Sequence, residues 1–109
     1  PSVVDALKAA ELARRLGKQI TGIVVNRRGK KKHELPSEKI ESMIEAPIIV
    51  EIPEDEAVAK SIAAKQPVIE YDTQSPAAIE IRRLAHKLTG RSFEYKKPGL
   101  LNRLISWIR

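Results

Sequence analysis

Residues 19–26 read QITGIVVN, and residues 48–52 read IIVEI. Both stretches are short, rich in β-branched residues and almost free of polar alternation, which is typical of strands covered on both faces in a parallel sheet. Amphipathic patterns before, between and after them predict helices. These helices span residues 2–16, 37–45, 56–64 and 75–89.

A short third strand is predicted at Pro67–Glu70, which makes the order α-β-α-β-α-β-α. Strands that alternate with helices predict a parallel sheet with helices on its faces. Two or three strands are few for such a sheet, because each parallel strand needs cover on both sides. We therefore expect an α/β fold that is the C-terminal half of a larger doubly wound, mainly parallel, three-layer domain.

The composition narrows the possible chemistry. The chain has 109 residues, 20 Lys+Arg against 14 Asp+Glu, and no cysteine. Disulfides, cysteine zinc sites, thiol nucleophiles and iron–sulfur ligation are therefore excluded within this chain. The two histidines, His33 and His86, lack metal-ligand spacing, and no G-x-x-x-x-G-K-[ST] phosphate loop occurs. We predict no metal site, no catalytic residues in this segment, and a soluble cytoplasmic protein.

Polar residues at the carboxyl ends of the strands are the candidate binding residues, because ligands of open α/β sheets bind there. Asn26 and Arg27 follow the first strand, and Pro53 and Asp55 follow the second. An Asn carboxamide can pair with the exocyclic amine and neighbouring ring nitrogen of adenine. The alternative is that Asn26 bonds only local backbone and that Pro53 only ends its strand.

Three consecutive carboxylates, at residues 54–56, open the helix that follows the second strand. An acid/base pair is one interpretation, but carboxylates in a first helical turn complement the helix dipole, and we expect Asp55 to be the N-cap. The loop Arg27–Leu35 carries five positive charges. It could contact phosphates, but no aromatic residue is interleaved, so a solvated loop is favoured over nucleic-acid binding.

The last twenty residues differ from the rest in charge and aromatic content. Residues 90–109 hold five basic residues, one acidic residue and three of the four aromatics. We divide the chain into a body at 1–89, a linker at 90–97 and an amphipathic helix at 98–109. On a helical projection the residues of this helix form an apolar arc and a polar arc, and Arg103 lies in the polar arc. The apolar arc consists of Leu100, Leu101, Leu104, Ile105, Trp107 and Ile108.

Such a helix is typical of a membrane interface, since Trp favours the headgroup level, basic residues attract anionic lipid, and ten residues are too few to span. Docking on the body or on a partner protein is the alternative. A non-catalytic interaction module, in which the basic loop and the tail bind a protein or nucleic acid, is therefore a second interpretation of the whole chain.

Several short motifs together resemble a known family. They are VVNR at Val24–Arg27, IPED at Ile52–Asp55, QPVI at Gln66–Ile69 and SPAA at Ser75–Ala78, followed by the terminal amphipathic helix. Their order and spacing resemble the C-terminal half of MinD-type ATPases of the ParA/MinD family, which have a deviant phosphate loop, and particularly the archaeal MinD-like proteins.

The resemblance implies an ATPase whose phosphate loop and Mg²⁺ ligands lie upstream of Pro1. Asn26 would recognise adenine of ATP or ADP, Pro53 and Asp55 would line the base pocket, and Arg27 would lie beside them. Residues 100–109 would bind an anionic membrane surface, with ATP-dependent homodimerisation and an activating regulator. It implies a peripheral protein on the inner face of the cell membrane that positions cell-division or other machinery.

Overall fold

The computed structural model describes residues 2–29 and 34–92. The described part is an α/β unit of two strands and five helices. In chain order the elements are α1 (Ser2–Arg15), β1 (Ile23–Arg28), α2 (Ser37–Ile44), β2 (Ile48–Pro53), α3 (Glu56–Ala63), α4 (Val68–Tyr71) and α5 (Pro76–Thr89).

The two strands are parallel and are joined through the crossover helix α2. Val25 pairs with Glu51, and Arg28 pairs with Pro53. Three steps along β1 therefore match two along β2, so β1 carries one extra residue. This bulge contains Asn26 and Arg27, and Arg27 adopts a left-handed conformation with φ 57°.

One hydrophobic core lies where α1 and α2 pack on the strands. Its buried members are Ala10, Ile40, Ile44 and Ala46. The partly buried residues around it include Ile23 and Val25 of β1 and Ile48 of β2. The apolar stripes that predicted helices over 2–16 and 37–45 are thus the faces that cover the sheet.

A second packing region joins α3, α4 and α5. Its buried residues are small or medium in size: Ala57, Ser61, Val68, Ser75, Ala77 and Ala78. Helix α5 also packs on β2, where Lys87 Nζ donates to the carbonyl oxygen of Ile49 over 2.7 Å. The small side chains at the start of α5 allow α3, α4 and α5 to approach each other closely.

The predicted third strand at Pro67–Glu70 is wrong. This stretch is the short helix α4, in which the N–H groups of Glu70 and Tyr71 both donate to the carbonyl of Pro67. A run of four residues has no usable periodicity, and burial of Val68 against α3 and α5 decides its conformation. The first strand also differs from the prediction, since it begins at Ile23 and continues to Arg28.

The other predicted boundaries agree closely with the structure. Asp55 caps α3, Ser75 caps α5 with Pro76 at its first position, and Gly90 ends α5 in a left-handed conformation. The α/β fold class is confirmed.

Two predicted segments lie outside the described residues. They are residues 93–109, which include the predicted amphipathic helix, and Lys30–His33 of the basic loop. Within the described part, no helix has the length and apolar character needed to cross a membrane.

Candidate functional site

A cleft of about 310 Å³ opens at the carboxyl ends of β1 and β2, where α3 begins. All four residues that the sequence singles out, Asn26, Arg27, Pro53 and Asp55, border it. The full lining is Asn26, Arg27, Ile52, Pro53, Glu54, Asp55, Val58, Ala59 and Ile62. Residues from two separate sequence motifs are thus brought to one place.

Asn26 lies in the β1 bulge with an exposed side chain. Its Oδ1 accepts the backbone N–H of Arg27 over 2.9 Å, which is the local contact foreseen as the alternative to ligand binding. Among the described residues, its Nδ2 has no hydrogen-bond partner. A carboxamide oxygen has two lone pairs, so Asn26 can still present one acceptor site and two donors to a ligand.

Arg27 and Glu54 form an ion pair at the mouth of the cleft. Arg27 Nε lies 3.4 Å from Glu54 Oε2, and the side chains are 79% and 54% exposed. Exposed pairs of this kind contribute little to stability, because water screens them. The pair therefore leaves both side chains available to rearrange around a ligand.

Both oxygens of the Asp55 carboxylate accept hydrogen bonds within the protein. Its Oδ1 accepts from Ala57 N–H and its Oδ2 accepts from Ala77 N–H, each over 2.9 Å. Burial raises the pKa of Asp55, but hydrogen bonds from Ala77, Ala57 and the Ser75 hydroxyl outweigh burial and hold the pKa below its usual value. The predicted capping role is confirmed for Asp55.

The corner between β2 and α3 is also fastened to β1. The N–H of Glu54 donates to the carbonyl oxygen of Arg28 over 2.8 Å. Pro53 precedes this contact, and its ring restricts the backbone there. The backbone of this corner, which borders the cleft, is therefore fixed both by the Pro53 ring and by the hydrogen bond to β1.

Sequence reasoning missed the apolar wall that α3 contributes. Val58 and Ile62 stand one helical turn apart, with Ala59 beside them, and Ile62 is 71% exposed. The signal was present, since an i, i+4 apolar pair can mark a ligand-facing stripe as well as a core-facing one. Only the packing of α3 shows that this stripe borders the cleft.

A polar network holds both ends of the basic loop. Arg28 Nε lies 3.5 Å from Glu34 Oε2 and 3.6 Å from Glu51 Oε1, and Gly29 N–H donates to Glu34 Oε1 over 3.0 Å. Ser37 Oγ donates to Glu51 over 2.5 Å. No group of three or more potential metal ligands occurs in the described ranges.

Parallel strands joined by helices, with a cleft at the carboxyl edge, define an α/β protein of the doubly wound class. Residues 4–103 match the family described as 4Fe-4S iron sulfur cluster binding proteins, NifH/frxC family. The chain belongs to this family. Its residues do not fit a cluster, because the chain contains no cysteine to ligate iron.

Two relatives come from Methanocaldococcus jannaschii, and both are described as uncharacterized ATP-binding proteins. MJ0547 is 37% identical over 108 residues, which cover 95% of this chain and 41% of the relative. MJ0169 is 37% identical over 89 residues, which cover 82% of this chain and 34% of the relative. The chain thus spans about two-fifths or less of the length of these relatives.

Two solved structures share the fold. The cell division ATPase MinD of Pyrococcus furiosus has a TM-score of 0.73 at 28% identity, covering 81% of this chain and 37% of that protein. The septum site-determining protein MinD of Pyrococcus horikoshii OT3, complexed with Mg-ADP, has a TM-score of 0.73 at 24% identity, covering 80% and 36%. The resemblance to MinD-type ATPases is confirmed.

Proposed function

We propose that this chain supplies the base-binding side of an adenine-nucleotide site in a MinD-like ATPase. The observation that carries the proposal is the convergence of Asn26, Arg27, Pro53 and Asp55 on one cleft at the carboxyl edge of the sheet. ATP or ADP is the ligand proposed, with Mg²⁺ held by residues outside this chain. The relatives described as ATP-binding support this choice.

The chemistry of the cleft favours adenine over guanine. Asn26 offers two donors and one acceptor site, which match a ring nitrogen and the exocyclic amine of adenine. Guanine needs a carboxylate to accept from its N1 and N2 groups. Asp55 already accepts two backbone N–H groups, and Glu54 would have to give up its ion pair with Arg27 to accept from guanine.

Titration of the labelled chain with adenosine and with guanosine, followed by amide NMR, tests this proposal. We expect adenosine to shift signals from Asn26, Glu54 and Val58 and guanosine to shift them less. Asn26→Ala should abolish the preference for adenosine. Gln19→Ala removes an exposed carboxamide before β1, away from the cleft, and should behave as the unmodified chain does. Equal shifts with both nucleosides would contradict adenine recognition.

We propose further that residues 100–109 anchor the protein peripherally on an anionic membrane at the inner face of the cell. The support is the amphipathic pattern of Leu100, Leu101, Leu104, Ile105, Trp107 and Ile108, with Arg103 on the polar side. One short helix binds lipid weakly, so nucleotide-dependent dimerisation would strengthen binding by bringing two helices to one surface. Hydrolysis under an activating partner would release them, a cycle suited to positioning cell-division machinery.

Co-sedimentation with anionic and neutral liposomes tests the anchor. The matched variant ends at Lys97, and a third variant carries residues 98–109 twice. We expect the intact chain to pellet with anionic vesicles, more so with the doubled tail, and the truncated chain to remain in solution. If the doubled tail also remains in solution, the tail binds protein and not lipid, as in the interaction-module interpretation.

A further inference from the structure

We infer that Asp55 is a positioning residue of the cleft: its carboxylate clamps the first turns of α3 and α5 to the Pro53–Glu54 corner and does not itself bind the base. This inference rests on the proposed adenine site and assigns one residue of it a different task. It differs from the family-based expectation, in which Asp55 lines the pocket as a ligand contact.

Both oxygens of the Asp55 carboxylate are held by backbone donors. One accepts from Ala57 at the start of α3, and the other accepts from Ala77 at the start of α5, each over 2.9 Å. The Ser75 hydroxyl also lowers the pKa of Asp55. Both helix N-termini carry partial positive charge, so the anion is held by two dipoles as well as by the two backbone donors.

The residues that donate to Asp55 are buried. Ala77 is fully buried, and Ala57 is 9% exposed. If Asp55 rotated toward a ligand in the cleft, the Ala57 and Ala77 N–H groups would lose their partner in a region with little access to water. A buried donor without a partner is costly, so this rotation is opposed at both helix ends at once.

The clamp acts on the cleft through the Pro53–Glu54 corner and the first turn of α3. Residue 55 follows directly on Pro53 and Glu54, and the Glu54 N–H is tied to Arg28. The first turn of α3 also sets the position of Val58, which begins the apolar wall. Asp55 therefore determines where the corner and the wall stand, and the contacts with a base come from those groups and from Asn26.

Two nucleosides separate positioning from contact. Purine riboside lacks the 6-amino group of adenosine, so a residue that contacts this amine directly changes the ratio of the two affinities. In amide NMR titrations of the whole chain, Asn26→Ala should make the affinities for adenosine and for purine riboside nearly equal. Asp55→Asn should weaken both ligands by the same factor and leave the ratio unchanged.

Two further variants protect the test against simple misfolding. Ser75→Ala keeps the carboxylate and removes the hydroxyl that caps α5 by accepting the Ala78 N–H over 3.2 Å, and it should weaken both nucleosides equally but less than Asp55→Asn does. Asp72→Asn makes the same chemical change at an exposed residue whose carboxylate accepts a weak local bond from Gln74 N–H over 3.3 Å. Its affinities should match those of the unmodified chain.

Amide hydrogen exchange reports on the clamp without any ligand. An Asn at residue 55 accepts with one atom and donates with the other, so either Ala57 or Ala77 should exchange faster in Asp55→Asn while core amides such as Ile44 stay protected. A changed nucleoside ratio in Asp55→Asn, or unchanged exchange at both alanines, would overturn the clamp while leaving adenosine binding intact. Absence of adenosine binding by the unmodified chain would overturn the proposed function as well.

Discussion

Oδ2 of Asp55 accepts the backbone N–H of Ala77 over 2.9 Å, although the two residues are 22 positions apart. This hydrogen bond ties the end of β2 to the start of α5, across the small-residue packing of α3, α4 and α5. Asp55 therefore caps α3, which follows it directly in sequence, and also accepts a hydrogen bond from the first turn of α5, which is distant in sequence.

Replacement of Asp55 by Ala should lower the free energy of unfolding. Each helix cap is worth about 1 kcal/mol, so loss of both should cost roughly 2 kcal/mol. Urea unfolding followed by circular dichroism measures the change. Asp72→Ala removes an exposed carboxylate that accepts a local bond from Gln74 N–H, and it should shift stability by no more than about 0.5 kcal/mol. Equal midpoints for the two variants would show that the bond to Ala77 carries no stability.

Acid should remove the part of this contribution that depends on the ionised carboxylate in the unmodified protein. Because the folded-state pKa of Asp55 lies below its unfolded value, the stabilisation is complete above about pH 4 and is lost as pH falls through the folded pKa. Urea midpoints of the unmodified chain and of Asp55→Ala should therefore converge as pH falls from about 5 to 2. A gap that stays constant over this range would contradict the assigned pKa shift.

Much of the site was predictable from local sequence. A short β-branched run followed by Asn26, and another followed by Pro53 and Asp55, indicate strand ends, and parallel strands bring their carboxyl ends to one edge. The cap at Asp55 was predictable because it depends on Ala57, two residues away. Local patterns of this kind involve few residues and few competing conformations.

Other features depend on contacts that no local pattern encodes. The bulge requires Arg27 in a left-handed conformation, which Arg rarely adopts, and the register between β1 and β2 imposes it. The helix at Val68 depends on burial against α3 and α5, and the second bond of Asp55 depends on where α5 is placed. Packing of distant segments decides each of these, so sequence reasoning missed them.

Truncation of Ile44 should lower stability, whereas truncation of Ile62 should weaken binding and leave stability nearly unchanged. Ile44 is 3% exposed in the core between α2 and the sheet, so Ile44→Ala should cost about 2–5 kcal/mol of unfolding free energy. Ile62 is 71% exposed beside the cleft, so Ile62→Ala should change stability by no more than about 0.5 kcal/mol and should weaken adenosine binding. Urea unfolding and nucleoside titration of both variants provide the check. A large loss of stability in Ile62→Ala would show that α3 packs differently.

Gly22, directly before β1, should not tolerate a methyl group. A Cβ there would lie 3.1 Å from the carbonyl oxygen of Pro47 and would overlap the Ile49 side chain. The carbonyl cannot withdraw without cost, because it accepts the N–H of Ile23 over 2.8 Å. We expect Gly22→Ala to lose about 1–3 kcal/mol in urea unfolding, as overpacked sites do.

Gly29 provides the control for this substitution. A Cβ at Gly29 would make only ordinary contacts, 3.6 Å from Glu34 Oε1 and 3.8 Å from Glu54 Cβ. Gly29→Ala should therefore leave the midpoint nearly unchanged. Because Ile49 supplies most of the overlap at Gly22, adding Ile49→Ala to Gly22→Ala should cost less than the two single changes summed. Strict additivity would mean that backbone crowding at Pro47, and not the Ile49 side chain, excludes the methyl group.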